Sequence, residues 1–199
     1  MKTNTKKLTL LALLLAIEAL FCFTPLGSIP LGPIVATLAA IPVIVAAIAI
    51  DTKTGAILGF FAGLFSLIVW TFMPPPTSAA MAFMFTPFYS LGEVKGNALS
   101  LVICFVPRIL VGVFAGLSFK WLDKTKMPKI AVYTASAIIG SLANTFGVLF
   151  GAYFFFGALS GMTMALIGTT ILTNGLPEAA VAAVLAYAVA YPLRKYAKK

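Results

Sequence analysis

The sequence predicts an all-α integral membrane protein with six transmembrane helices, because of its composition and the lengths of its apolar stretches. Of its 199 residues, 61% are hydrophobic and only 10% are charged, whereas soluble domains carry about 45–50% apolar and about 25% charged residues. Six apolar stretches approach the length of about 20 residues that an α-helix needs to cross a bilayer. We therefore expect one six-helix membrane domain over residues 1–199.

The six stretches cover residues 8–24, 34–50, 55–72, 98–121, 130–156 and 159–191. The first follows Lys6 and Lys7 as a signal peptide would, but Glu18 interrupts its apolar run and no small-residue cleavage site follows, so we expect a retained helix. The sixth is too long for one crossing. Asn174 and Pro177 interrupt it, and the last helix is expected to be kinked or discontinuous.

The basic residues predict the orientation of these helices. Six crossings place both termini on one side, and twelve lysines and arginines fall on that side against Lys95 alone on the other. The positive-inside rule then makes both termini cytoplasmic. The twelve are Lys2, Lys6, Lys7, Lys53, Lys120, Lys124, Lys126, Lys129, Arg194, Lys195, Lys198 and Lys199. Topology and attraction to anionic lipid headgroups explain the net charge of +9, without a nucleic-acid partner.

The two long outer loops differ from the inner connections. Residues 25–33 and 73–96 are rich in Pro, Gly, Ser, Thr and aromatic residues, whereas residues 51–54 form only a tight inner turn. Long external loops of this kind predict structured lids over an outward-facing pocket. The alternative is that they merely cover the helix ends.

Ionisable residues inside a bilayer are costly, so each is a functional candidate. Counting about 1.5 Å per residue from the cytoplasmic basic residues places Glu18, Arg108, Asn144 and Glu178 in the middle and outer half of the membrane. The inner half is nearly devoid of polar groups. This distribution predicts a binding pocket loaded from outside rather than a continuous channel.

Arg108 is the most informative of these residues, because an arginine cannot lose its charge and must find an anion or several acceptors. Pro107 precedes it and frees a backbone carbonyl nearby. Two interpretations are open. Arg108 faces a ligand carboxylate or another acceptor, or it forms an internal ion pair with Glu18 or Glu178; one arginine can also share the two roles.

Amides and aromatic rings supply the remaining pocket candidates. Asn144 and Asn174 can read a polar ligand, although they can equally tie helices together. An aromatic belt explains most of the rings at the outer interface. Trp70 is the exception, because it lies near the depth of the pocket, and Tyr89 is retained beside it as a candidate. The belt residues are Phe72, Phe83, Phe85 and Phe88.

The first predicted helix has two distinct faces, one lined by small residues and one bearing a carboxylate. Ala12, Ala16 and Ala19 form a narrow stripe of small residues, which allows another helix to approach closely. At about 100° per residue, Glu18 points about 130° away from that stripe. One face is therefore able to dock a second helix while the other turns a carboxylate into the bundle, unless the stripe serves internal packing.

Several classes of function are excluded or disfavoured. Without histidine, the sequence cannot form an HExxH zinc site or a Ser-His-Asp triad. Cys22 and Cys104 lack CxxC spacing and are expected to be buried thiols. Glu18 and Glu178 have no second catalytic group beside them, so we expect no enzyme activity, no catalytic residues, no metal and no cofactor.

Taken together, the chain resembles the substrate-binding S components of energy-coupling factor (ECF) transporters, the vitamin-uptake branch of the ATP-binding-cassette systems. The similarity covers essentially the whole chain and is greatest to the pantothenate-type S components. The matching features are the AxxxA of Ala12 and Ala16 and the segments IPVIVAAIAIDTKTGAILGFFAGLFSL, FVPRILVGVFAGL, SLANTFGVLFGAYFFFG and NGLPEAAVAAVLAYAV.

The resemblance implies roles and partners. Ala12 and Ala16 would contact a transmembrane coupling subunit, and Arg108, Asn144 and Asn174 would line the pocket. Because the chain has no Walker A sequence, two separate ATPases of the complex would hydrolyse ATP, and the whole bundle would tilt in the bacterial plasma membrane to deliver the vitamin. Alternatives are an S component for folate, riboflavin or hydroxymethylpyrimidine, or a stand-alone secondary transporter.

Overall fold

The computed structural model describes residues 2–31, 34–75, 79–91, 94–160 and 163–197. Helices dominate this part of the chain, accompanied by two short antiparallel hairpins. The helices are α1 (Lys2–Phe23), α2 (Ala40–Ala49), α3 (Thr52–Phe72), α4 (Ala98–Leu122), α5 (Lys129–Ser160), α6 (Met164–Thr170) and α7 (Leu176–Ala197). The hairpins pair β1 (Ser28–Leu31) with β2 (Ile34–Thr37) and β3 (Ser90–Leu91) with β4 (Val94–Lys95).

Four helical segments of the described chain are long and apolar enough to cross a membrane. They are α3, α4, residues Lys129–Gly157 of α5, and the continuous run Met164–Ala197 that contains α6 and α7. The 22-residue α1 is also long enough, but Lys6, Lys7 and Glu18 lie within it. The chain is thus an integral membrane protein built mainly from helices.

The second predicted crossing is wrong as a single helix. Residues 34–50 divide into strand β2 and the ten-residue helix α2, which spans only about 15 Å at 1.5 Å per residue. The β-branched residues Ile34, Val35 and Thr37 favour a strand, and β2 finds its partner in β1. Pro42 is tolerated in α2 because it lies in the first turn.

Helix α2 is the centre of the apolar core. Every residue from Ile41 to Ala49 is buried, and Ile44 and Ile48 are not exposed at all. Leu58 of α3 and Phe119 of α4 pack against it. A short helix enclosed on all sides needs no polar face, which is why its sequence reads like a membrane crossing.

Ion pairs tie together one end of the bundle, which we call the basic end. Lys7 Nζ lies 3.3 Å from Asp51 Oδ2. Arg194 Nη1 donates to the carbonyl of Ile48 at 2.9 Å, and its Nη2 lies 3.3 Å from Asp123 Oδ2. The start of α1, the end of α2 and the end of α7 therefore lie together, and the β-hairpins lie at the other end of these helices, the hairpin end.

Asp51 organises the turn between α2 and α3. Its Oδ1 accepts hydrogen bonds from the backbone N–H and the hydroxyl of Thr54, both at 2.8 Å, and so caps α3. Partial burial alone would raise the pKa of Asp51, but the hydrogen bonds from Thr54 and the charge of Lys7 outweigh it and lower that pKa below its ordinary value.

The interruption predicted in the last helix takes the form of a π turn. Residues Ile171–Gly175 adopt π-helical geometry, and the N–H of Leu176 donates to the carbonyl of Ile171, five residues earlier. The wider turn accommodates Pro177, which has no N–H to offer a regular α-helix. The helix continues through this point without a break.

Glycines bring α3 and α4 into close contact. Gly55, Gly59 and Gly63 follow one another at four-residue spacing along α3, and a Cβ on Gly59 would collide with the backbone carbonyl of Arg108. Gly112 of α4 fits against the backbone of Gly55 in the same way. Backbones that approach this closely in a membrane require small residues at the contact, and this contact fixes the position of Arg108 relative to α3.

We predict that Gly59→Ala destabilises the protein by about 1–3 kcal/mol, because the added methyl group overpacks a backbone contact. The melting temperature in detergent should fall. Gly168→Ala is the matched control, since nothing lies within 4 Å of a Cβ there and alanine favours the helix. Equal melting temperatures for the two variants would contradict the close α3–α4 contact.

Candidate functional site

A cavity of about 230 Å³ lies between the hairpin-end halves of α1, α2 and α3 and the middle of α4 and α5. Its walls combine apolar side chains with a few polar groups, as small-molecule pockets do. The polar lining residues are Glu18, Cys22, Thr37, Ser66, Arg108 and Asn144. The apolar ones include Phe21, Val43, Ala62, Val69, Trp70 and Val111.

The backbone of α4 positions the guanidinium of Arg108. Pro107 has no N–H, so it cannot bond the carbonyl of Ile103 four residues earlier. Arg108 Nη1 donates to that carbonyl at 2.8 Å, and Nη2 lies 3.4 Å from Ser66 Oγ on α3. The guanidinium also lies over the ring of Phe85, 5.4 Å from its centroid. The predicted effect of Pro107, a freed carbonyl near Arg108, is thus present in the structure.

Arg108 does not form an ion pair with either glutamate in this structure. Among the side chains described, ion pairs within 4.0 Å involve only Asp51 and Asp123 as acids. Glu178 instead turns its Oε1 towards Thr37, whose backbone N–H donates at 3.0 Å and whose hydroxyl donates at 2.8 Å. The internal ion pair, one of the two interpretations of Arg108, is therefore not present among the described residues.

Two acceptors in the cavity wall have no hydrogen-bond partner within the described protein. Glu18 is completely buried; its Oε1 accepts from Cys22 Sγ at 3.5 Å, and its Oε2 has no partner. Asn144 Oδ1 is also buried and unpaired. Buried acceptors are paired in the great majority of cases, so these two atoms mark the polar side of the cavity.

Residues 79–91 of the second predicted lid contact the cavity wall through aromatic rings. The ring of Phe85 stacks on Trp70, with centroids 4.6 Å apart and planes inclined by 19°. The hydroxyls of Thr71 and Thr86 lie 2.7 Å apart, and Ser100 Oγ donates to a backbone carbonyl of the same segment at 2.7 Å. The described part of the second predicted lid is therefore anchored to α3 and α4; residues 32–33, 76–78 and 92–93 of the two predicted loops lie outside the described residues.

Three predicted pocket residues do not line this cavity. Asn174 lies in the π turn and is half-buried, and Glu178 reaches the cavity wall only through Thr37. Tyr89 packs against a separate apolar cluster around Phe83 and Phe156.

Some lining residues are not predicted from the sequence, notably Thr37, Cys22 and Ser66. A signal for Ser66 exists in the sequence, because it follows Gly63 by three residues and therefore lies on the same face of α3 as the glycines. No comparable pattern points to Thr37, which reaches the cavity from a strand where a helix was predicted.

The two faces of α1 are oriented as predicted. Ala12 and Ala16 are exposed on the outside of the bundle, whereas Glu18 is buried in the cavity wall. Ala12 and Ala16 are therefore left uncovered by the described part of the chain, whereas Ala19, the third residue of the stripe, is partly buried.

The chain is similar to a family of transport proteins over most of its length. The chain matches the family described as "ECF transporter, substrate-specific component" over residues 6–190. It is 33% identical over 165 residues to the "Pantothenic acid transporter PanT" of Lactococcus lactis subsp. cremoris, a match that covers 82% of this chain and 80% of that protein. It is 34% identical over 125 residues to the "Pantothenate transporter PanT" of Leuconostoc mesenteroides, covering 60% of this chain and 53% of that protein. With a family match over most of its length and several helices able to cross a membrane, this chain belongs to the substrate-specific components of ECF transporters, multi-pass proteins of the bacterial plasma membrane.

Proposed function

We propose that this chain binds pantothenate on the outer side of the plasma membrane as the S component of an ECF importer. The observation that carries the proposal is the position of Arg108 in the cavity wall, in a chain similar to proteins named pantothenate transporters. Ile103 and Ser66 engage two of the five N–H groups that an arginine carries. No hydrogen bond among the described residues uses the remaining donors, and we assign them to the carboxylate of the ligand.

Size and charge favour pantothenate over the other vitamins. A volume of about 230 Å³ lies below the range of about 300–1,000 Å³ of most small-molecule pockets, which disfavours folate and riboflavin. Hydroxymethylpyrimidine is small enough but has no carboxylate for Arg108. Pantothenate is a small flexible anion with hydroxyls and an amide, and it matches both the volume and the polar wall.

The orientation in the membrane follows from the basic end. Lysines and arginines collect there, so we place the basic end and both termini in the cytoplasm and the cavity towards the outside. In this arrangement α1 and the β1–β2 hairpin with α2 complete the six crossings. The apolar core around Ile44, Ile48 and Leu58 then separates the cavity from the cytoplasm.

Helix α1 provides the site for coupling. Its exposed Ala12 and Ala16 allow a helix of the transmembrane coupling subunit to approach closely. Two ATPases bound to that subunit would supply the energy, and the bundle would tilt as a whole to bring the cavity to the cytoplasmic side. The chain itself has no catalytic role in this scheme.

The proposal predicts that the chain alone binds pantothenate but does not accumulate it. Proteoliposomes that contain only this protein should bind external radiolabelled pantothenate and show no ATP-driven uptake. Uptake should appear when the coupling subunit and the two ATPases are added. Concentrative uptake by the chain alone would establish a stand-alone transporter instead.

The second prediction assigns the ligand carboxylate to Arg108. Losing a buried contact between guanidinium and carboxylate costs about 2–5 kcal/mol, so Arg108→Gln should lower the affinity for pantothenate by about 30-fold to several-thousand-fold. The affinity for panthenol, the uncharged alcohol analogue, should change far less. Lys120→Gln, an exposed cation on the same helix, is the control and should keep the preference for the acid. If Arg108→Gln keeps that preference too, another group reads the carboxylate.

The third prediction separates docking from binding. Replacing Ala12 and Ala16 together by Trp should prevent close helix approach, so co-purification with the coupling subunit and ATP-driven uptake should both be lost. Pantothenate binding by the isolated variant should be unchanged. Val184→Trp serves as the control, because Val184 is 68% exposed on α7. Loss of binding by the isolated double variant, or normal uptake by the complex, would rule out a docking face on α1.

A further inference from the structure

The hydrogen bonding of Glu18, which lines the cavity, is incomplete among the described residues. Its side chain has no exposure, yet Oε2 has no partner among the residues described. Within the described part of the chain, the thiol of Cys22 is the one donor to its other oxygen, at 3.5 Å, and a thiol is a weak donor. A buried carboxyl oxygen without a partner destabilises the protein that contains it, so its retention calls for a donor from elsewhere.

No neighbouring donor among the described residues bonds to Oε2 of Glu18. Arg108 Nη1 is held by the carbonyl of Ile103, and Nη2 is directed to Ser66. The hydroxyl of Thr37 donates to Glu178. The polar part of the cavity wall therefore offers a cation, Arg108, and two acceptor atoms, Glu18 Oε2 and Asn144 Oδ1, that have no partner among the described residues.

We propose that Glu18 is the residue that reads the hydroxyl groups of the ligand, and so sets the specificity for a hydroxylated acid. The inference rests on the proposed function and adds to it the orientation of the ligand in the cavity. The carboxylate of the ligand lies against Arg108 on α4, its hydroxyls donate to Oε2 of Glu18 on α1, and Asn144 Oδ1 is left for the amide N–H. A ligand that displaces water from this cavity without bringing donors leaves Glu18 unpaired, and it is rejected for that reason.

The test compares pantothenate with its analogue that lacks both hydroxyls but keeps the carboxylate, the amide and the branched apolar centre. The wild-type protein, purified in detergent, should bind the analogue about 5- to 150-fold more weakly, the range for leaving a buried acceptor unpaired. Glu18→Met keeps the side-chain volume and removes the acceptor. In this variant the affinity for pantothenate should fall close to that for the analogue, and the ratio of the two affinities should approach one.

Two further variants separate the loss of the Glu18 acceptor from a general effect on binding or folding. Glu178→Gln changes a carboxylate that is paired with Thr37 and does not line the cavity, so any effect should be the same factor for both ligands. Glu18→Gln retains an oxygen acceptor and should keep part of the discrimination. If a melting curve shows that Glu18→Met does not fold, Glu18→Gln decides, and an unchanged ratio in it overturns the inference.

The outcomes distinguish this inference from the proposed function. Wild-type protein that does not bind pantothenate overturns both. Wild-type protein that binds pantothenate and the analogue equally well, or a ratio that is the same in Glu18→Met as in the wild type, overturns the role of Glu18 alone. A ratio that collapses in Glu18→Met and not in Glu178→Gln supports it.

Discussion

A guanidinium at membrane depth must be surrounded by acceptors, and the cavity of this protein is organised around the way α4 supplies one. Pro107 removes the N–H that would occupy the carbonyl of Ile103, and Arg108 takes that carbonyl at 2.8 Å. The glycine contact with α3 then brings Ser66 to the second guanidinium nitrogen. Backbone and hydroxyl oxygens hold Arg108, and no carboxylate of the described residues forms an ion pair with it. Its charge can therefore meet an anion in the cavity.

Because Glu18 forms no ion pair with Arg108 in the structure, helix α1 can serve two purposes. If Arg108 were paired with Glu18, α1 would be fixed to α4 by an ion pair and its carboxylate would be unable to meet a ligand. In the structure Glu18 faces the cavity from one side of α1, while Ala12 and Ala16 are exposed on another. A rigid helix with a pocket group on one face and a stripe of small residues on another places the ligand within one helix diameter of the proposed coupling subunit.

Sequence patterns predict the long helices of this protein better than its short buried elements and the directions of its side chains. Long apolar runs predicted α3, α4 and α5 well, because length and composition alone decide whether a helix can cross a bilayer. The prediction of a single crossing helix at residues 34–50 was wrong, because a fully enclosed short helix and a strand are as apolar as a membrane-crossing helix. Depth counting placed Glu18 and Arg108 at similar heights but carries no information about the angle at which a side chain leaves its helix. Their separation, and the exclusion of Tyr89 from the cavity, therefore needed the structure.

The location of the cavity constrains how a ligand can leave it. Below Val43, helix α2 is apolar and buried to its end, where Arg194 closes the basic end by donating to Ile48 and stacking 4.2 Å from the ring centroid of Phe119. Opening a path here would strand the guanidinium of Arg194 and expose a close-packed core, and both changes are costly. Rigid movement of the bundle leaves all of these contacts intact. The described core below the cavity is mainly apolar, so the proposed reorientation of the whole protein, which opens no path through that core, agrees with its packing.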